Sequence, residues 1–502
     1  MQLKNGEPLK TTGFTARIFP GFLLILLAAC TVGPDYVRPT AVENMPAAYK
    51  ESAGWKVATP QDGTITDRWW ELYQDPVLNS LVEQVSISNL NIAAAEARFR
   101  QARALVQGAK AGYYPSLTAG ALATRSQRYG ESRNSNSGGT TTSNYQLPVD
   151  LAWELDLWGR IRRGVEASQA GAQASAADLA AITLSCQAEL AGDYLQLRVL
   201  DMQKQLFTDT ATRYRKFLGL TSDRYEAGLV GKTDLLQAET QLRSTEAEVI
   251  DIGIERARLE HAIALLIGKP PAAFSLAPTD SVTAMPLIPS GLPSELLERR
   301  PDIASSERQM AAANARIGMA KAAYYPTIRL SAATGFEAAS LASWFNWSSR
   351  FWAVGAAASA SLFDGGQREA LSDQARAAYD ETVATYRETV LTAFQEVEDN
   401  LAALRLLDEE ASVQAQAVES AEQVVKITTN QYQVGTVAYL NVLTAQTTAL
   451  ASERTSLGIA GRKLAASVLL VKALGGGWRQ NAPVPAGAGD HGQGVGHAGR
   501  AD

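Results

Sequence analysis

Few side chains in this sequence could do covalent or ligating chemistry. The chain has two cysteines, Cys30 and Cys186, and three histidines, His261, His491 and His497, in 502 residues. Neither a disulfide framework nor a Cys/His metal cluster can be built from that set. Gly231-Lys232-Thr233 matches the end of a phosphate-binding loop, but the first glycine of that motif would fall on Glu226. The context is also helix-turn-helix rather than strand-loop-helix. His261 sits in a helical seam and reads as a packed or surface histidine, while Glu189 and Asp193 read as a solvated helix face. Cys186, in an apolar helical stretch, reads as a small buried hydrophobe. No nucleophile, base and acid can be assembled, so the chain is expected to be no enzyme and to hold no metal or small-molecule cofactor. What remains is Cys30, a thiol standing directly behind an apolar run.

Lys4, Lys10 and Arg17 precede that run, which passes through Ile18, Phe22, Leu23, Leu24 and Leu27 into Ala28-Ala29-Cys30. Charged, apolar, small is the order of a secretory signal, and the run is about a dozen residues against the ~20 of a spanning helix. Residues 1–29 are therefore expected to be removed. Leu27-Ala28-Ala29-Cys30 resembles the bacterial lipoprotein signature, which implies an S-diacylglycerol and an N-palmitoyl chain on Cys30. Each buried CH2 of such chains contributes about 0.8 kcal/mol to membrane retention. With Lys+Arg 46 and Asp+Glu 52 the formal charge is −6, which excludes a strongly basic nucleic-acid binder. Mean hydropathy is −0.10, and no second long apolar stretch follows the N-terminus, which argues against a bundle of membrane helices. A β-barrel stays open.

The elements that must position any site are duplicated. Ala109-Lys110-Ala111-Gly112-Tyr113-Tyr114-Pro115 returns as Ala320-Lys321-Ala322-Ala323-Tyr324-Tyr325-Pro326, and Tyr225, Gly228, Asp234, Leu236 and Ala238 return as Tyr432, Gly435, Asn441, Leu443 and Ala445. One multi-element unit occurring twice is expected, each half folding alike. Within a half, a helix stops at Tyr-Tyr-Pro and strand-like text follows. Tyr145, Leu147, Val149, Leu151, Trp153, Leu155 and Leu157 alternate with Gln146, Pro148, Asp150, Ala152, Glu154 and Asp156. This is period two, with one apolar and one acidic, polar face, and it is long enough to cross a bilayer at a tilt. A half-buried sheet in a soluble sandwich gives the same alternation; the signal peptide and flanking aromatics favour the membrane. Trp352 to Leu362 and Ile328 to Ala332 give weaker strands, and Leu117 to Thr124 a fourth. Residues 130–143 and 338–349 read as hairpin loops outside a barrel.

Residues 160–227, free of proline, predict a helix of roughly 100 Å, and 233–266 carry an apolar seam that wants a partner helix. Gly228 can close the first helix, with Thr233 or Asp234 capping the second. Gly435 and Asn441 take the same places between helices 365–434 and 440–474. The domain reading is thus a signal peptide (1–29), an extended N-terminal segment (30–75), two β-hairpins (113–159 and 324–364), helical parts (76–112, 160–274, 294–323 and 365–474) and a disordered Gly/Pro-rich tail (475–502). Four strands cannot close a barrel, and open edges are not tolerated in lipid. Two copies would make eight strands with a filled interior, while three would make twelve around water. Asp150, Glu154 and Asp156, as lumen-facing acids, need that water. The expected fold is a mixed α and β membrane protein: a homotrimeric twelve-stranded barrel, four strands per chain, continued by a long helical tube.

Cys30-Thr31-Val32-Gly33-Pro34-Asp35-Tyr36-Val37-Arg38-Pro39, then Trp69-Trp70 with Asp75-Pro76 and Leu78, then Leu297-Glu298-Arg299-Arg300-Pro301-Asp302-Ile303, resemble the outer membrane efflux protein family. The match is closest to its lipoprotein branch, of the OprM and NodT type serving resistance-nodulation-division pumps, and runs to about residue 474. The resemblance implies a trimeric channel in the outer membrane of a Gram-negative cell, extending through the periplasm. Its implied partners are outer-membrane lipid, a periplasmic adaptor (membrane fusion) protein and an inner-membrane pump, and its implied role is the passive exit duct for drugs or other small toxic compounds. Adaptor contacts would fall at the two turns, on Gly228, Asp234, Gly435, Tyr439 and Asn441. Some members carry gate aspartates at the second turn, but here Thr436, Val437, Ala438 and Tyr439 stand there. The outlet of a protein (type I) secretion system and a lipid-anchored helical scaffold are the alternatives.

Overall fold

A computed structural model describes residues 32–41, 48–51, 68–128, 140–279, 285–286, 288 and 299–478. Cys30, the signal segment and residues 479–502 lie outside the described residues. Two units share the chain. One comprises the described parts of Met1–Thr40, Arg100–Ala174 and Ser306–Tyr386; the other comprises those of Ala41–Phe99, Ser175–Ser305 and Arg387–Asp502.

The first unit holds the sheet. Helix α2 (Leu90–Ala111; α1 is Pro76–Ser88) ends in tightened turns, with Tyr113 and Tyr114 donating to Lys110 O and Ala111 O before Pro115 stops it. Helix α5 (Pro301–Ala322) ends the same way at Tyr324, Tyr325 and Pro326. Strands β1 (Ser116–Ala119), β2 (Leu122–Arg128), β3 (Thr140–Leu155), β4 (Thr327–Ala338) and β5 (Arg350–Ser359) form one antiparallel sheet, in which β1 and β2 both pair with β3, β3 with β4, and β4 with β5. The fourth strand expected at Leu117–Thr124 is thus longer and interrupted. Ala119 faces Val149 and Leu122 faces Gln146 in one continuous register. At the break Gly120 donates to Pro148 O (3.0 Å), but Pro148 has no N–H to return. Strand β3 starts at Thr140, inside the stretch expected as loop, and β5 stops at Ser359 rather than at Leu362.

The second unit is helical around a buried core that includes Trp69, Tyr73, Leu78, Leu190, Leu195, Leu197 and Ile263. Asp75 caps α1 by accepting from the N–H groups of Val77 (2.9 Å) and Leu78 (3.1 Å), with Pro76 in the first turn. Helices α3 (Arg160–Glu226) and α6 (Gln367–Gln433) have 67 residues each, and α4 (Lys232–Leu266) and α7 (Tyr439–Ala473) have 35 each. Both long helices end at a left-handed glycine, Gly228 (φ 72°) and Gly435 (φ 82°), as expected. The caps that follow differ from expectation. Gly231 and Ala438 occupy the N-cap positions without a side-chain bond, so Thr233, Asp234 and Asn441 lie inside the first turn, where Asp234 still meets the positive end of the helix dipole. Gly475–Trp478, expected to open a disordered tail, instead form a turn against the helices. The α-carbon face of Gly475 lies so close to Arg299 O that a Cβ would come within 2.0 Å of it.

Burial of Asp193 on α3, helped by Glu189 one turn away and opposed by Arg258, raises its pKa from 3.8 to about 6. A carboxyl that protonates more readily folded than unfolded adds stability below about pH 4 and loses it as pH rises to about 6. Asp193→Asn is therefore expected to gain in unfolding midpoint over the parent chain between about pH 4 and 6. A pH-independent difference would show the group to be solvated.

Candidate functional site

The two faces of the sheet carry opposite chemistry. On one, Leu147, Leu151, Trp153 and Leu155 stand opposite Phe336, Ala332, Leu330 and Ile328, and that row continues through Trp352, Val354, Ala356 and Ala358. Trp352 and Val354 are exposed. Aromatic groups bound this band at both ends. At the loop end Trp344 packs on Tyr145 (5.8 Å) and Phe345 (5.2 Å), and Phe336 meets Phe345 edge-on (5.7 Å). At the helix end the Trp153 indole donates to Tyr113 O (3.0 Å), and Trp158 donates to Pro326 O (2.7 Å) while stacking on Tyr325 (4.8 Å). An apolar band between two aromatic girdles is what a sheet facing lipid requires.

The other face is polar. Asn144 and Gln146 both donate to Glu337 (2.9 and 3.0 Å), and Glu154 stands opposite Arg329 and pairs with Arg160 (2.8 Å). Asp150 lies between Thr118 and Ala333, exposed and with no cation opposite it. Asp156 differs from the other two expected acids. It lies beyond the strand and accepts from the N–H groups of Ile161 (2.9 Å) and Arg162 (2.8 Å), opening α3, as Asp364 does from Gly366 and Arg368 ahead of α6. Glu337 and Arg329 on this face escaped the sequence reading, although the alternation Arg329, Ser331, Ala333, Gly335, Glu337 carries them.

Of the turn residues, Gly228, Gly435 and Asn441 are exposed and Asp234 is half-buried. Tyr439 is not a surface contact. It is buried with Ala238, Tyr432 and Val442, its ring stacked on Phe217 (5.4 Å), and burial, then Tyr214, Tyr432 and Asp234, pushes its phenol pKa up. Arg224 ties the hairpins together, donating to Tyr432 O (2.9 Å) with its guanidinium 4.7 Å from that ring. The apolar side chains presented at the turns are Leu229, Val434 and Leu440. His261 is exposed, and Cys186 is buried with its thiol 3.8 Å from Asn89 Oδ1.

The family model described as outer membrane efflux protein matches residues 81–269 and 292–476. The chain belongs to that family. The solvent efflux pump outer membrane protein SrpC of Pseudomonas putida is 30% identical over 469 residues, covering 92% of this chain and 98% of the relative. The cation efflux system protein CusC of Escherichia coli is 28% identical over 473 residues, covering 92% and 99%. Among solved structures, the outer-membrane channel OprN superposes with a TM-score of 0.82 at 31% identity, over 89% of this chain and 99% of that one. The open state of the Neisseria gonorrhoeae MtrE channel gives 0.78 at 27%, over 91% and 100%. This efflux protein is accordingly an outer-membrane component of an efflux system, with a periplasmic extension.

Proposed function

We propose that three copies of this efflux protein close a twelve-stranded barrel whose polar face encloses water, and that the helical hairpins continue it as a passive exit duct for small toxic compounds. The observation that carries this reading is the sheet itself: an apolar band on one face, acids and amides on the other, and two edges, β1–β2 and β5, unpaired among the described residues, which lipid does not tolerate. Its four crossings, with β1 and β2 as one, are too few to enclose a lumen, whereas twelve suffice. An internal duplication accounts for the matching elements. Leu90–Ala111 and Pro301–Ala322 have equal lengths, as do the two long and the two shorter helices, and the family model matches one stretch in each half. The ring this predicts is a pseudo-sixfold wall.

Energy comes from an inner-membrane resistance-nodulation-division pump joined through a periplasmic adaptor, which would meet the turns at Gly228, Asp234, Gly435 and Asn441. The duct opens as the hairpins part there. Cys30 carries the diacylglycerol and N-palmitoyl chains. Val32, two residues further on, donates its N–H to Trp158 O (3.3 Å) in the lower girdle, which would bring those chains to the edge of the apolar band. The purified particle is expected to have the mass of three chains and to conduct ions in a planar bilayer, and Cys30→Ser to lose labelling by a lipid precursor. A single-chain mass without conductance would sink the duct in favour of a helical scaffold.

A further inference from the structure

The seam between neighbouring copies can be read from a seam inside the chain. Inside it, β3 ends and β4 begins side by side, with Leu155 opposite Ile328 and Val149 opposite Thr334. The outer edges of the sheet are β1–β2 on one side and β5 on the other, and their side chains are almost all exposed, where those of β3 and β4 are largely half-buried. The duplication makes β5 the counterpart of β3 and β1 that of β4. Ser116 faces Ala152 in the first hairpin and Thr327 faces Ser359 in the second. The helices that follow, Arg160–Glu226 and Gln367–Gln433, keep the same displacement. So Leu155 corresponds to Leu362, Val149 to Ala356, Ile328 to Leu117 and Thr334 to Ala123.

Transferring the internal register to the outer edges sets Leu362 of one copy opposite Leu117 of the next and Ala356 opposite Ala123. The faces agree without adjustment. Ala356 and Leu117 both belong to the apolar row, Ser359 and Gly120 both to the polar one, and a slip of one residue would invert every pair.

Chemistry at the lower end of the two seams differs in a complementary way. Inside the chain Trp158 covers Tyr325 and bonds Pro326 O. The counterparts of these two are Tyr114 and Pro115, but the counterpart of Trp158 is Gly365, just before Gly366 (φ 90°), which matches Gly159 (φ 79°). Tyr114 is consequently 71% exposed and lines an open cleft of about 490 Å³ with Lys110, Tyr113, Arg162 and Val165. The helix-opening aspartate has moved one place along, from Asp156 to Asp364, and the position so released holds Phe363. Phe363 and Leu362 are 92% and 95% exposed.

We propose that β5 of one copy pairs with β1–β2 of the next in the register of the internal β3–β4 seam, and that Phe363 fills the cleft at Tyr114 in place of the missing tryptophan. This rests on the three-copy reading and goes beyond it by fixing which residues meet. Seating the exposed Phe363 against Tyr113, Tyr114 and Val165, beside the charged Lys110, Arg162 and Glu166, removes apolar area from water at each junction, and the ladder satisfies the edge N–H and C=O groups.

The test uses full-length protein in outer-membrane preparations, with the parent chain as the background for its buried Cys186. The pair Ala123→Cys with Ala356→Cys is expected to give a covalent ladder up to the trimer on mild oxidation. Directly opposed Cβ atoms lie about 4.5–5.5 Å apart, near disulfide reach, whereas diagonal neighbours stand at about 7–8 Å. Ala123→Cys with Val354→Cys, or with Ala358→Cys, is expected to give none. A ladder from a displaced pair alone, or none from the first pair in a particle of three chains, overturns the register and leaves the ring standing. No ladder in a particle of single-chain mass overturns the ring. Phe363→Ala is expected to lower the temperature at which the trimer dissociates in SDS and Phe363→Trp to preserve it; an unchanged temperature in Phe363→Ala overturns the seat at Tyr114.

Discussion

Leu151→Arg depletes the protein from the outer membrane, whereas Asp150→Asn leaves its amount unchanged and alters the ion preference of its conductance. The two residues are neighbours in β3 and point to opposite faces. Leu151 lies in mid-strand opposite Leu117 and Ala332, all three in the apolar row. An arginine there meets lipid at mid-bilayer and costs roughly 2–4 kcal/mol per chain, a cost that recurs at each copy of the proposed ring. Asp150 faces Thr118 and Ala333, with no basic partner in its row. Removing its charge disturbs no ion pair among the described residues and changes only the field in the proposed lumen. Membrane-fraction immunoblots and reversal potentials in a salt gradient read the two effects. Equal loss of assembly in both variants would mean that the faces are assigned the wrong way round.

Much of this was legible in the sequence because the signals were periodic or conformational. Period two between Tyr145 and Leu155 named both faces, and Gly228 and Gly435 marked the turns because left-handed backbone favours glycine. What escaped was set by tertiary partners. The sequence offered Thr233, Asp234 and Asn441 as caps, but the helices start two or three residues earlier, on Gly231 and Ala438, where exposed N–H groups can be satisfied by water. Tyr439 read as a surface residue of a turn, yet its ring is taken up by Phe217, which lies far away along the chain, and by Tyr432 on the other side of the turn. Asp156 continued the acidic row by parity, but the strand ends at Leu155, and past that point parity no longer fixes a face. The break at Gly120-Ala121 needed knowledge that Pro148 lies opposite, which pairing alone supplies.

Asp201→Ala should be among the most destabilising single changes in the helical unit. The carboxylate is 1% exposed and accepts from Arg256 (2.6 Å) on α4 and from Arg198 (3.1 Å) on α3. The same two arginines hold the segment after α4 by its carbonyls, Arg198 donating to Ala277 O (2.7 Å) and Arg256 to Leu276 O (2.7 Å). Without Asp201, Glu260 is the one carboxylate among the described residues left to pair with either nearly buried cation, and it bonds Arg256 alone (2.8 Å). Leaving a buried charge uncompensated costs about 3–5 kcal/mol. The second half supplies an internal control: the counterpart pair, Asp408 with Lys463, has its carboxylate 68% exposed, and such pairs contribute about 0–1 kcal/mol. Urea titration of helical circular dichroism should therefore show a large drop in midpoint for Asp201→Ala and little for Asp408→Ala. Replacing Asp201, Arg198 and Arg256 together by leucine and methionines should recover part of the loss, since the penalty lies in stranded charge rather than in missing attraction. A triple variant less stable than Asp201→Ala would show instead that the arginines' grip on Leu276 and Ala277 is what stabilises the fold there.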